Sequence, residues 1–532
     1  MRENRETPVV SAGTTRVRRV QREYGGPVSE DMSRTADMHG TGESDDRVVP
    51  TNESNKGARS APAEAREGRR STKENTDHAL PVPDTAPDMG GWQARGVARV
   101  RDAAQRDQRM QFTALLHHVT VDQLRRSFLA LKRAATPGVD GVTWQAYATA
   151  LETRLPDLQD RVQRGAYRAQ PSKRAYIPKA DGRLRPLGIA ALEDKIVQHA
   201  IGTVLTAIYE ADFLGFSYGF RPGRSQHDAL DALWVGLMRK RVSWVLDADI
   251  QGFFDTIDHE WLLRFVEHRV ADPRVLRLIR KWLRAGVSED GQWSRTTVGT
   301  PQGAVISPLL ANIYLHYVFD QWVQRWRTRA ARGDVVVVRY ADDIVMGFEH
   351  RHEAERCLAA WQARLRRFGL QLNPAKTRLV EFGRYAAERR KGRGQGKPET
   401  FDFLGFTHLC GKSRAGRFLV QRRTMKKRLR AKLQVVKAEL HRRWHDPVPA
   451  VGQWVQRVVQ GYFNYHAVPG NGKSLEQFRT QVIRVWLRTL RRRSQRGHLT
   501  WERFTPVVRR FIPSTRILHP WPGVRFAARH PR

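Results

Sequence analysis

The chain has 532 residues, 40% of them hydrophobic, and 93 lysines and arginines against 54 acidic residues give a net charge of +39. That length predicts roughly three or four domains, and a charge of that size calls for an anionic partner, nucleic acid first, because each neutralised phosphate releases a counterion. Cys357 and Cys410 form no CxxC pair, which excludes a disulfide framework and a zinc ribbon, and no apolar run spans a bilayer.

Residues 1–90 are rich in Ser, Thr, Gly, Pro, Asp, Glu and Arg, a composition that does not offset the entropy of ordering, so they are expected to be a mostly disordered polar leader. From Trp92 the pattern becomes periodic. Phe112, Leu115, Leu116 and Val119 are spaced for one helix face, and Leu124, Phe128 and Leu131 for another. Residues 172–190 read as an extended hairpin turning at Ala180-Asp181-Gly182, and 192–209 as a helix. Two strand-like runs follow, Val242 to Ile250 and Val335 to Phe348, the second apolar on both sides of Tyr340-Ala341-Asp342-Asp343 and predicted to be a hairpin turning at the aspartates. Helices are predicted between them at 259–269, 272–285 and 307–329. Residues 384–400 are basic and Gly-rich, which predicts a flexible loop, and Phe401 to Phe406 a short strand. The C-terminal part reads as helical. Leu429, Leu433, Leu440 and Trp444 mark one helix, Trp454, Val458, Tyr462 and Tyr465 a second, and the pattern Ser474-x-x-Gln477 predicts a capping box opening a third with Phe478, Val482, Val485 and Leu490.

The adjacent carboxylates of Asp342 and Asp343 carry the sharpest chemical signal. Neighbouring carboxylates repel, so a site that needs both has a cation to hold, and Mg²⁺ takes hard oxygens from one or two carboxylates plus substrate phosphates. A third carboxylate from the other strand run completes a two-metal site for phosphoryl transfer. Asp247, Asp249, Asp255 and Asp258 are all candidates there, and spacing alone does not choose among them.

Eight blocks in order over about residues 112–505 carry a family resemblance: TPGVDGVT at 136, YIPKADGRLRPLGIAALEDKIVQ at 176, SYGFRPGRSQHDAL at 217, DIQGFFDTIDH at 249, GTPQGAVISPLLANIYL at 299, RYADDIVMGF at 339, GLQLNPAKT at 369 and FDFLGF at 401. The chain resembles a group II intron-encoded reverse transcriptase/maturase of the endonuclease-lacking type. The resemblance implies an α+β right-hand polymerase, with fingers and a palm built on antiparallel sheet, followed by an all-helical thumb/maturase domain. The implied divisions are a leader at 1–90, an N-terminal extension and fingers at 91–240, palm at 241–420, thumb/maturase at 421–510 and a basic tail at 511–532. Asp249, Asp342 and Asp343 become the catalytic and metal-binding triad, with the Ile250 carbonyl beside them and two Mg²⁺ ions as cofactor.

The same resemblance assigns Lys179 and Arg185 to the incoming triphosphate, Phe254 to the floor under the nucleotide sugar, Gln302 to the neighbourhood of the templating base, and Lys376 to the departing pyrophosphate. Phe403-Leu404-Gly405 matches the primer grip. Arg221 and Arg224 are expected to face template or intron RNA. Implied partners are group II intron RNA, an RNA template with a DNA primer, target DNA and deoxynucleoside triphosphates, with no membrane and no zinc. With no cysteine cluster after the maturase-like region, no endonuclease is expected, and the expected location is the cytoplasm, on the nucleoid when DNA is bound. Rival readings are a non-enzymatic RNA-binding maturase and a domesticated reverse transcriptase outside intron mobility.

Overall fold

The computed structural model describes residues 91–178, 184–493 and 499–530; the leader expected over 1–90 and the turn at 180–182 lie outside the described residues. The strands β1 (Ser172–Pro178) and β2 (Leu184–Ile189) form the hairpin predicted over 172–190. Strand β3 (Trp244–Asp249) follows the helix Gln226–Arg239, and the short β4 (Val287–Glu289) and β5 (Gln292–Ser294) join the first hairpin in a sheet of order β2-β1-β4-β5. Strands β6 (Val335–Tyr340), β7 (Asp343–Phe348) and β8 (Arg378–Glu381) pair with β3 in an antiparallel sheet of order β6-β7-β3-β8. The last sheet, β11-β10-β9, is built from β9 (Phe401–Phe403), β10 (Phe406–Lys412) and β11 (Phe418–Thr424).

Every residue of β6 is buried, and so are all of β7 except Asp343. Strands covered in this way read as continuous Val/Ile runs rather than alternating ones. The helix Gln226–Arg239 packs on β6, and the helix Arg351–Arg367, with Trp361 fully buried, packs on β3 and β7. One hydrophobic core joins these elements to the N-terminal helices. A second runs from Leu429 to Ile512 around Phe478, Val482, Trp486 and Phe504, within the helices Lys426–Arg442, Val448–His466, Gly472–Arg491 and Trp501–Phe511. The architecture is therefore α+β, sheets antiparallel except for the short parallel pairing of β1 with β4, with helices and then an all-helical bundle. Among the described residues no helix is long and apolar enough to cross a membrane.

The chain then doubles back. Leu518 N–H donates to the Ala467 carbonyl at 3.0 Å, and the His519 ring lies 4.2 Å from that of His227. Residues Pro522–Arg529, expected to belong to a tail, form a helix packed on Gln226–Arg239, where Arg525 pairs with Asp231 and Arg529 with Asp228.

Several elements differ from the sequence expectation. The face predicted at Phe112 to Val119 is buried, but only Leu116–His118 turns, as a single 3-10 turn, because Phe112 instead bridges Val270 and the amides of Leu115 and Leu116 bind the Asp272 carboxylate. Residues 384–400 are not a loose loop: Ala386–Gly392 is helical, and Arg389 and Arg393 reach the buried carboxylate of Glu381. The third helix of the bundle starts at Gly472 after Asn471, with no side-chain cap, so Ser474 lies inside it rather than capping it. Asn471 spends its amide on Thr424 and the His466 carbonyl. Trp444 lies beyond the helix that ends at Arg442.

Candidate active site

Strands β3 and β7 are neighbours, and their register sets Asp249, the last residue of β3, opposite Asp343, the first of β7. Tyr340 pairs with Asp343, so Ala341 and Asp342 alone make the turn between β6 and β7. Ala341 sits at φ +56°, in the left-handed region, as the first central residue of such a tight hairpin requires. Three carboxylates distant in sequence are thereby carried to one end of one sheet.

The four candidates on the β3 side separate by their contacts. Asp258 caps the helix His259–Glu267 by accepting from Trp261 N–H at 2.8 Å. Asp255 accepts from the Gln302 amide at 3.2 Å. Asp247 lies across from Arg378, 3.6 Å away, and burial pushes its carboxyl up to about 6. Asp249 alone of the four stands at the same end as Asp342 and Asp343.

Solvent reaches Asp343 and, in part, Asp342, while nearby protein encloses them. That enclosure, together with mutual repulsion among the three carboxylates, pushes both upward from the usual carboxylate range. Arg185 and Lys376 pull Asp342 back, and Arg428, in the first turn of the helical bundle, pulls back Asp343. Lys376 Nζ is 2.8 Å from Asp249 Oδ2, and the Asn373 amide group lies 3.5 Å from the same oxygen, with Asn373 N–H donating to the Asp249 carbonyl at 2.8 Å. Among the described residues no three His, Cys, Asp or Glu side chains enclose a point where an ion would sit. Mg²⁺ is ordinarily held by one or two carboxylates with substrate phosphates rather than by an all-protein cage, so this open, repulsive set of hard oxygens fits it.

The other predicted residues are distributed unevenly. Phe254 is half-buried on the turn after β3, edge-on to Phe220 and Phe253, with its carbonyl taken by Thr300 N–H. Gln302 is bound to Asp255, and its carbonyl accepts from Gly188 N–H on β2 at 2.7 Å. A Cβ at Gly303 would meet the Gly188 carbonyl oxygen at 2.8 Å, so only glycine permits that approach. Arg185 is exposed on β2, Ile250 is buried and bridged to Leu372, and Lys179 lies outside the described residues. In Phe403-Leu404-Gly405, Phe403 ends β9 and pairs with Phe406, and Leu404 and Gly405, at φ +45° and +85°, make the turn into β10, so the stretch is not one continuous strand.

Arg221 does not fit the expected RNA-facing role. It is 1% exposed, and its guanidinium is spent on Glu210 and on the carbonyls of Leu214 and Ser217. Arg224 is also turned inward, donating to the Gly215 carbonyl at 2.6 Å and lying over the Tyr218 ring. Sequence reasoning missed Asn373 and the buried residues behind the turn, Gly219, Asn312, Asp320 and Arg339. The one available signal was a lone charge, Arg339, in an otherwise apolar strand.

Residues 177–408 match the family described as reverse transcriptase (RNA-dependent DNA polymerase), a family that uses divalent metal. Protein YkfC of Escherichia coli K12 is 37% identical over 56% of this chain and 81% of its own length. The group II intron-encoded protein LtrA of Lactococcus lactis is 40% identical over 38% of this chain, and an uncharacterized 91 kDa protein in the cob intron of Schizosaccharomyces pombe is 42% identical over 30%. The chain covers only 33% and 19% of the lengths of those two. With the matched region carrying both aspartate-bearing strands, and with a relative matched over most of its length, the chain belongs to the reverse transcriptases, the RNA-dependent DNA polymerases, and is similar to proteins that group II introns encode.

Proposed function

We propose that this protein extends a DNA primer on an RNA template with deoxynucleoside triphosphates, using two Mg²⁺ ions at Asp249, Asp342 and Asp343, and that it binds a group II intron RNA to assist splicing and retrohoming into target DNA. The observation that carries the reading is the register pairing of Asp249 with Asp343 beside the Asp342 turn, with Lys376 on the Asp249 carboxylate. Bound there, the metal ions would lower the pKa of the primer 3′-hydroxyl and offset charge on the phosphate in transfer.

The chain's own residues do the rest. Asp249, Asp342 and Asp343, with the Ile250 carbonyl beside them, supply the hard oxygens. Arg185, with Lys179, holds the triphosphate and stabilises charge on the leaving pyrophosphate. Phe254 fills the space under the sugar and excludes a 2′-hydroxyl, and Gln302, fixed by Asp255, packs near the templating base. Lys376 presents its ammonium to the departing pyrophosphate. Exposed Lys426, Lys427, Arg430 and Lys437 on the helix Lys426–Arg442 supply charge for RNA phosphates, the contacts through which A-form RNA is mostly held.

The test is primer extension by the purified protein on a DNA-primed RNA template with Mg²⁺. The native protein is expected to extend and Asp342→Ala to be inert while still binding RNA. If both bind RNA and neither extends, a non-enzymatic maturase replaces this reading.

A further inference from the structure

Arg339 is a charge placed where the strand has no need of one. It is 0% exposed at the last residue but one of β6, and its partner Asp320 is 0% exposed as well. Burying such a pair costs solvation that mutual attraction only partly returns, so a hydrophobic pair would serve packing as well or better. The guanidinium divides its donors. Nε and Nη2 go to the two Asp320 oxygens at 2.7 and 2.5 Å, and Nη1 goes to Asn312 Oδ1 and to the carbonyl of Ala341, both at 3.0 Å.

Asp320 reaches Arg339 because the helix Ser307–Leu315 widens into a π turn over His316–Asp320 before continuing, a local distortion that recurs at functional sites. Asn312 is itself fixed, its amide donating to the Gly219 carbonyl at 2.7 Å. Gly219 presses on the turn from the other side: a Cβ there would come within 2.2 Å of Ala341 N. Ala341 is therefore held in its left-handed conformation between a glycine backbone and an arginine fork, and the residue that follows it is Asp342.

We propose that Arg339, fixed by Asp320 and Asn312, is a positioning residue: it locks the Ala341 carbonyl and so aims the Asp342 carboxylate at the metal ions. This rests on the metal-dependent polymerase reading above. The competing account is a buried ion pair that only holds the sheet together.

Two full-length variants separate these accounts. Arg339→Lys keeps the charge opposite Asp320 but loses the planar fork that reaches two further acceptors. Asp320→Leu/Arg339→Met removes the pair while keeping the volume, a replacement that often leaves stability intact. Tm, Mn²⁺ affinity of the nucleic-acid-free protein by electron paramagnetic resonance, and kcat and KM for single-nucleotide addition are measured on each. The expected result is a near-native Tm, weaker Mn²⁺ binding, and a kcat lowered about 100-fold with little change in KM, the scale of loss that follows misplacement by about 1 Å. Native kcat and native Mn²⁺ affinity in either folded variant overturn the proposal. It is also overturned if activity is lost only in step with Tm and returns on cooling, since the pair would then be holding the sheet alone. If the native chain itself fails to extend a primer, the polymerase reading falls, while the Mn²⁺ measurement still tests Arg339.

Discussion

Lys376 gives a prediction with two opposite signs. Its ammonium lies 2.8 Å from Asp249 Oδ2, so a divalent ion that takes this oxygen must first displace it. The lysine side chain is 54% exposed and the aspartate 23%, and a pair this open to water is worth about 0.2–1 kcal/mol. Removing the lysine therefore tightens ion binding about 1.4- to 5-fold. Catalysis moves the other way, because the departing pyrophosphate loses a cation and a proton donor; positioned proton transfer of this kind contributes on the order of 100-fold or more. The assay is Mn²⁺ titration of nucleic-acid-free Lys376→Gln and native protein at low salt, with single-turnover extension in parallel. Tighter ion binding with slower extension is expected, and added salt should shrink the difference in affinity. Equal or weaker Mn²⁺ binding in Lys376→Gln would refute the competition, whatever happened to the rate.

Phe254→Ala should admit ribonucleotides. The measurement is the ratio of kcat/KM for deoxy- and ribonucleoside triphosphates, and an unchanged ratio removes Phe254 from sugar selection. Asp272 gives a pH-dependent stability effect. Burial opposes its charge, but hydrogen bonds from the Arg274 side chain and from the backbone N–H groups of Leu115, Leu116 and Arg274 more than offset that and hold its carboxyl at about 2, below the ordinary 3.8. A carboxyl held down in the folded state stabilises above its unfolded pKa, and the gain, about 2 kcal/mol, is lost as pH falls from about 4 toward 2. Hydrogen exchange at the Leu115 and Leu116 amides should then differ between native protein and Asp272→Asn at pH 6, with the difference shrinking to about a third near pH 2.5; a difference that persists unchanged there contradicts the linkage.

Most strands were legible because their apolar runs are long and bounded by turn residues. The hairpin at Asp342-Asp343 was readable from Val and Ile on either side of a polar break. Which residue of the β3 run faces it was not, since a strand pairing across some 90 residues leaves no local mark; the eight family blocks pointed to Asp249, and the register then set it opposite Asp343. The helix at Ala386–Gly392 was missed because glycine and charge suggest a loop, while its arginines gather on Glu381, buried at the end of β8 just before it. Arg221 was misread for the opposite reason: a basic residue beside a Pro-Gly turn looks solvated, and nothing nearby shows that Glu210 and two carbonyls enclose it. Arg339 carried a signal, a single charge among valines, but its partners lie on other elements and only the fold brings them together.

The helical bundle is anchored to the sheets at several points, among them Tyr465 on the Leu404 carbonyl and Asn471 on Thr424. It leaves the sheets at Thr424, and the chain returns from it to clasp Gln226–Arg239 through Arg525 and Arg529. A body held at one point swivels in any direction, whereas bonds spread along a contact resist turning about every axis. Releasing Asp228 and Asp231 from their arginines would therefore loosen one side of that contact while Tyr465 and Asn471 kept the other.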